Sequence, residues 1–411
     1  MHPGTGGFAI LSHTMREMSS NPTNAPDPPP LVAAAEKGDA EAIERLLAAG
    51  AGVHETDASR RTGLMAATQR NDIALARRLI EAGSDVNARD ATLLTPYLCA
   101  GANGFAEILK LTLAAGADRE SVNRFGGTPL LPSSEKGFLR TVRLCLAAGI
   151  PVNRANDLGW TALLEAVILG DGGLLYADVI EALVEAGADP HLPDRDGKSS
   201  IQHATELRQH RVLSILTGTA QPSTEAIHLA KAREKREDYE GALACIEEAQ
   251  AASPQDIALL HYRGYYLHEL GRNEEAIRVF HEALALHPEE IGFHFLIAYA
   301  HRTMRQPEEA IAAFDAGIAK RPEHPFLRYH KSNYLREIGR HEQAVAVMDE
   351  LLAQQPRRYD FSFHKANSLR SLGRHEEAIT AIENAIATDP GNPLYQRHKE
   401  QSLRLLGRIN S

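Results

Sequence analysis

At 411 residues, with a formal net charge of −10 and a pI near 6.0, the chain is too acidic for a phosphate backbone to be its main ligand, which excludes nucleic acid as a principal partner. It is 43% hydrophobic but only 6% aromatic, and rich in Ala, Leu, Glu and Arg, a composition suited to closely packed helices. Its three cysteines, Cys99, Cys145 and Cys245, include no Cys-x-x-Cys pair, which fits a reducing, cytoplasmic setting, and no apolar run is long enough for membrane insertion.

Residues 1–30 read as a disordered leader. Its apolar run, Phe8-Ala9-Ile10-Leu11, lacks the charged flank and length of a signal peptide, and Asn24 to Pro30 is polar and proline-rich. Met15 and Met18 are alternative starts. From residue 31 a period sets in: Gly50, Gly83, Gly116 and Gly149 follow one another at 33 residues, and Gly187 returns after a five-residue insertion. Each suits the left-handed end of a helix, and the Asp or Asn that follows suits a turn. About ten residues on, Thr62, Thr95, Thr128, Thr161 and Ser199 stand where a helix cap is needed. Each unit is therefore helix, turn, helix, turn.

These residues resemble the ankyrin repeat, in the 33-residue period, the starts Gly126-Gly127-Thr128-Pro129-Leu130 and Gly159-Trp160-Thr161-Ala162-Leu163, and the Gly-Ala-Asp close. About six repeats fill 31–217. The family's usual histidine after Thr-Pro-Leu is replaced by Met65, Leu131 and Leu164, which removes an inter-repeat anchor. Residues 170–176 lengthen one turn, and a tolerated surface insertion is the simpler reading beside a functional loop.

A short joint, 218–224, follows. Burial of Leu213 and Leu216 against the next helix would make it rigid. Beyond it the spacing becomes 34: Ala242, Ala276, Ala310, Ala344 and Ala378, with Pro254, Pro288, Pro322, Pro356 and Pro390 closing each unit. Small residues let helices approach, and proline ends the unit. The third unit carries Arg305 where Gly271, Gly339 and Gly373 stand in others, so a left-handed turn there would cost on the order of 1 kcal/mol. This array, five units over 225–392, resembles the tetratricopeptide repeat, with Gly264, Ala276, Ala283 and Pro288 carrying the pattern in the clearest unit. Residues 393–411 read as a capping helix. The fold class is all-α, a double α-solenoid.

Repeat positions five, nine and twelve of each first tetratricopeptide helix share one face by spacing, and the resemblance implies that this face lines a concave groove. Position five gives His261, Phe295, Tyr329 and Phe363; position nine Lys231, Tyr265, Tyr299, Asn333 and Asn367; position twelve His268, Arg302, Arg336 and Arg370. Amides, aromatics and arginines make an inventory for an extended peptide, with an acidic or chain-terminal peptide as the narrower alternative. Packing between helices and a solvated face is the competing explanation. In the first array the hairpin tips Arg60, Arg61, Arg89, Arg124, Phe125, Asn156, Leu158, Trp160 and Arg195 are interface candidates, Phe125 and Trp160 foremost, with stacking on a neighbouring hairpin the equal alternative for both.

No catalytic constellation emerges. Gly197-Lys198-Ser199-Ser200 mimics the end of a phosphate loop, yet Leu192 stands in place of its first glycine, and the histidines lack helical chelate spacing. The reading is a non-enzymatic adaptor without cofactor or metal, binding two protein or peptide partners, of undetermined oligomeric state. A regulator or an enzyme with an unrecognised site is the competing class.

Overall fold

The computed structural model describes residues 27–220 and 224–408. Residues 1–26 of the leader, with Met15 and Met18, positions 221–223 of the joint and residues 409–411 of the cap lie outside the described residues.

The first array is six helix pairs: α1 Pro30–Lys37 and α2 Ala40–Ala48, α3 Gly63–Gln69 and α4 Ile73–Glu81, α5 Pro96–Asn103 and α6 Ala106–Ala114, α7 Leu130–Glu135 and α8 Leu139–Ala147, α9 Ala162–Leu169 and α10 Leu174–Glu185, α11 Ser200–Glu206 and α12 His210–Leu216. No strand occurs among the described residues; one isolated bridge joins Pro193 and Ser199. The caps follow the sequence at four of five starts. Thr62, Thr95 and Thr161 accept from the backbone N–H three residues on, at 3.2, 3.1 and 3.2 Å, and Ser199 forms a reciprocal capping box with Gln202. Thr128 departs. Its helix starts later, at Leu130, Leu131 N–H bonds to the Thr128 carbonyl instead, and the Thr128 hydroxyl is buried without a partner.

The second array has α13 Glu225–Glu234 and α14 Tyr239–Ala252, α15 Ile257–Glu269 and α16 Asn273–Leu286, α17 Gly292–Thr303 and α18 Pro307–Lys320, α19 Pro325–Glu337 and α20 His341–Gln354, α21 Tyr359–Ser371 and α22 His375–Thr388, and the last helix, α23 Pro393–Leu405. The small residue at Gly264 is required by contact: a Cβ there would lie 2.2 Å from the Phe280 ring. Arg305 adopts φ 59°, the left-handed turn its position demands, and Glu237 does the same in the first unit at φ 61°.

The two solenoids are not simply laid end to end. Every tetratricopeptide unit turns its first helix toward the ankyrin array, so the second array curls around the first. One hydrophobic core runs from Leu31 through Leu109, Tyr176 and Leu216 to Tyr265, Phe295 and Tyr334, and a second joins Trp160, Leu164 and Leu169 to Tyr359, Phe363 and Tyr395. Leu216 and Ile227 are buried in the same core and Leu213 packs against it. The polar ties of α13 nevertheless run sideways to α10: Lys231 Nζ reaches Asp178 at 2.9 Å and Glu181 at 2.5 Å, and Lys235 reaches Glu185 at 3.3 Å.

Candidate functional site: the face between the two arrays

The three ladders on the tetratricopeptide face come together as their spacing requires, and what they meet is the chain's own ankyrin array. At position five, His261 lies 3.3 Å from Asp178, Phe295 packs on Tyr176 with ring centroids 6.4 Å apart, Tyr329 donates its hydroxyl to Glu135 at 2.8 Å, and Phe363 meets Phe125 edge-on at 5.4 Å. At position nine, Tyr299 stacks on Phe138 at 5.2 Å and Asn333 donates to Glu135 at 3.0 Å. Tyr265 stays within its own array, donating to Glu234 at 2.8 Å, and Glu234 in turn pairs with Arg143 of α8. Asn367 is buried with its amide oxygen unpartnered.

At position twelve the arginines divide. Arg302 donates to the Asn103 carbonyl at 3.1 Å, pairs with Glu337 at 2.8 Å and lies over the Phe138 ring. Arg336 and Arg370 donate instead to neutral histidine nitrogens, His364 and His398. Arg305, held in its left-handed turn, donates to the Arg70 carbonyl at 2.7 Å.

From the ankyrin side, Trp160 is 4% exposed and packs on Tyr359 of α21, ring centroids 6.0 Å apart. Its aromatic contact crosses the array boundary. Sequence reasoning missed Glu135, Tyr176 and Asp178, which anchor the contact. The signal was weak: Glu135 puts a carboxylate at a helix C-terminus, where the dipole disfavours it. The 170–176 insertion is not a free surface loop. It carries Tyr176, fully buried, into the interface, where its hydroxyl donates to the Glu135 carbonyl at 2.7 Å and sits 3.1 Å from His330.

Burial shapes the titrations. Desolvation would raise Asp178, but the His261 hydrogen bond, the Lys231 charge and the Tyr262 hydroxyl overcome it and hold its carboxyl well below the usual range. Glu269 has no such excess of partners: burial pushes it up to about 7 despite Arg140 nearby. Burial lifts Asp171 to about 6, and lowers His268 to about 4 and His330 to about 3.

Where the arrays part, a channel of about 1490 Å³ remains, lined from one side by Ile73, Phe105 and Phe138 and from the other by Tyr299, Thr303 and Glu337. Its walls mix polar and aromatic side chains. The phosphate-loop mimic is an ankyrin hairpin in which Ser199 caps α11 and Lys198 pairs with Glu206 at 2.8 Å.

The comparisons identify both kinds of repeat in the chain. The family model described as ankyrin repeats (3 copies) matches residues 10–90, 31–118 and 96–194, and two tetratricopeptide repeat models match 228–291, 329–393 and 267–330. Over 53 residues the chain is 38% identical to the putative ankyrin repeat protein YahD of Escherichia coli K12; that stretch is 13% of this chain and 26% of the relative's length. Among solved structures, an ankyrin repeat domain from Acinetobacter baumannii AYE is 45% identical, with a TM-score of 0.45, covering 47% of this chain and 98% of that domain. The ankyrin repeat protein EF0377 is 36% identical, with a TM-score of 0.45, covering 46% and 96%. Repeats of both families are generic protein interaction modules. The chain is an ankyrin repeat array followed by a tetratricopeptide repeat array.

Proposed function

We propose that this protein is a non-catalytic interaction scaffold whose tetratricopeptide face is engaged first by its own ankyrin array, leaving partner binding to the channel between them. The observation that supports this reading is the pairing of the candidate ladders with Glu135, Phe138, Tyr176 and Asp178, while the channel keeps side chains of both arrays on its walls. A segment bound there touches both repeat families at once, so one partner reads a composite surface. An extended peptide across Phe295, Tyr329 and Phe363 would require the arrays to separate.

The test compares affinity capture by the full chain with capture by an Ile73→Arg, Thr303→Arg variant, which narrows the channel from both sides. The scaffold reading expects a discrete partner set that the variant loses. An unchanged set, or robust turnover by the purified chain in a hydrolase and transferase screen, would overturn it.

A further inference from the structure

Three arginines, Arg124, Arg336 and Arg370, are gathered where the hairpin before α7 reaches α19, α21 and α23, and among the described residues none has a carboxylate within ion-pair distance. Arg336 donates to His364 Nδ1 at 2.6 Å, and Arg370 donates to His398 Nδ1 at 2.5 Å. Arg124 lies over the ring of Phe125, 4.7 Å from its centroid, and that ring stacks on His398 at 6.0 Å. Phe363 contacts both histidines, at 5.8 and 4.8 Å, which closes the cluster. Several other interface arginines are paired with acids: Arg140 with Glu107, Arg143 with Glu234, Arg302 with Glu337, Arg397 with Asp157. The chain as a whole carries a net charge of −10, against which this cluster is locally positive.

The surroundings do not neutralise them. Both histidines accept at Nδ1 and so are neutral; burial and the adjacent arginines hold His364 well below its ordinary value and His398 down to about 2. The carboxylate of Glu135 is hydrogen-bonded to Tyr329 and Asn333 and acts on Arg336 only through its charge, without a direct ion pair. Burial, together with the charges of Arg370 and Arg336, lowers Arg124 to about 10. Asn367, one turn before Arg370 on the same helix, is buried with an unpartnered oxygen. Each of the three arginines keeps part of its surface exposed. Guanidinium forks steered by fixed neutral acceptors are the usual recognition chemistry for a planar or tetrahedral oxyanion.

We infer that Arg124, Arg336 and Arg370 form a binding site for an oxyanion, a phosphoryl or carboxylate group carried by a partner polypeptide. Only the choice of carrier rests on the scaffold reading; the site itself stands on the arginines. Neither array has it alone, since Arg124 comes from the ankyrin side and the others from the tetratricopeptide side.

The experiment is calorimetric titration of the full chain with inorganic phosphate and with acetate at constant ionic strength. Wild type is compared with Arg124→Gln, Arg370→Gln and, as a control paired with Glu308 elsewhere, Arg340→Gln. Saturable binding is expected in wild type and Arg340→Gln, weakened at least about tenfold in the other two. Phosphate binding with acetate inert assigns a phosphoryl group, and competition by acetate assigns a carboxylate; either supports the site. No saturable binding of either anion, or binding unaltered by Arg124→Gln and Arg370→Gln, overturns it. Because relief of like-charge repulsion favours the variant, Arg124→Gln should melt at or above wild type in chloride, and a clear fall would reassign Arg124 as structural and overturn the inference. Phosphate binding of this kind beside a partner set indifferent to the channel variant would keep the site and remove the scaffold; the reverse pattern removes the site alone.

Discussion

Glu135, at the end of the fourth ankyrin unit's first helix, accepts a hydrogen bond from Tyr329 of the fourth tetratricopeptide unit at 2.8 Å and another from Asn333 at 3.0 Å. One carboxylate thus meets two rungs of the opposite ladder. Glu135→Ala leaves a buried hydroxyl and amide without their charged acceptor, at about 1.5–3 kcal/mol for such a bond. Urea unfolding should show a loss of about 3 kcal/mol, and a change below about 0.5 kcal/mol would mean the contact is not made.

The titrations predict a pH dependence with a definite sign. Glu269 is raised to about 7 in the folded chain, chiefly by burial, so the native state binds more protons than the unfolded chain between its ordinary value and 7. Stability from this group therefore falls as pH rises through that window. His268 and His330, lowered to about 4 and 3 by burial, act oppositely: their contribution is complete above the ordinary histidine value and is lost as pH falls below it. Glu269→Gln should gain stability relative to wild type from about pH 5 to pH 7. Melting curves whose separation is constant across that range would contradict the assignment.

Arg305 combines two effects of opposite sign. Its left-handed backbone costs on the order of 1 kcal/mol, and its guanidinium recovers a hydrogen bond to the Arg70 carbonyl. Arg305→Gly removes both and is expected within about 0.5 kcal/mol of wild type. Arg305→Ala keeps the strain and loses the bond, and should lie about 1 kcal/mol below the glycine variant in denaturant titrations. Alanine equal to glycine would show that the turn is unstrained.

Trp160, the only tryptophan, sits in the core shared by both arrays. Its fluorescence is therefore a reporter of their contact. Unfolding followed by tryptophan emission and by helical circular dichroism should coincide, because no boundary in the core separates the arrays. Loss of roughly half the helical signal before any change in emission would show that the second array detaches first. Trp160→Ala should cost about 3–5 kcal/mol.

The repeats were legible because their marks are local. Gly83 or Gly264 is fixed by a turn or by the approach of one helix to the next, and such demands recur with the unit. Arg305 could be read as a strained departure for the same reason. The closing of one array on the other was not legible, since Glu135, Tyr176 and Asp178 follow no period and their partners in the second array lie about 50 to 200 residues away in sequence. The ladders meet the chain's own ankyrin array, and composition alone cannot say whether the surface such a face contacts is on another molecule. Trp160 shows the same limit, an apolar anchor whose pocket belongs to a distant segment.

The sideways tie of α13 to α10 has a kinetic consequence. Solenoids ordinarily fold through neighbours, and their contacts stay short in sequence. Here Arg302 bonds to Asn103 across 199 residues and Arg397 pairs with Asp157 across 240. During synthesis the ankyrin units emerge first and offer a finished surface, on which each later unit condenses as a casting does on its mould. Refolding from denaturant gives no such head start, so it should be slower than for either kind of array with contacts between neighbours only.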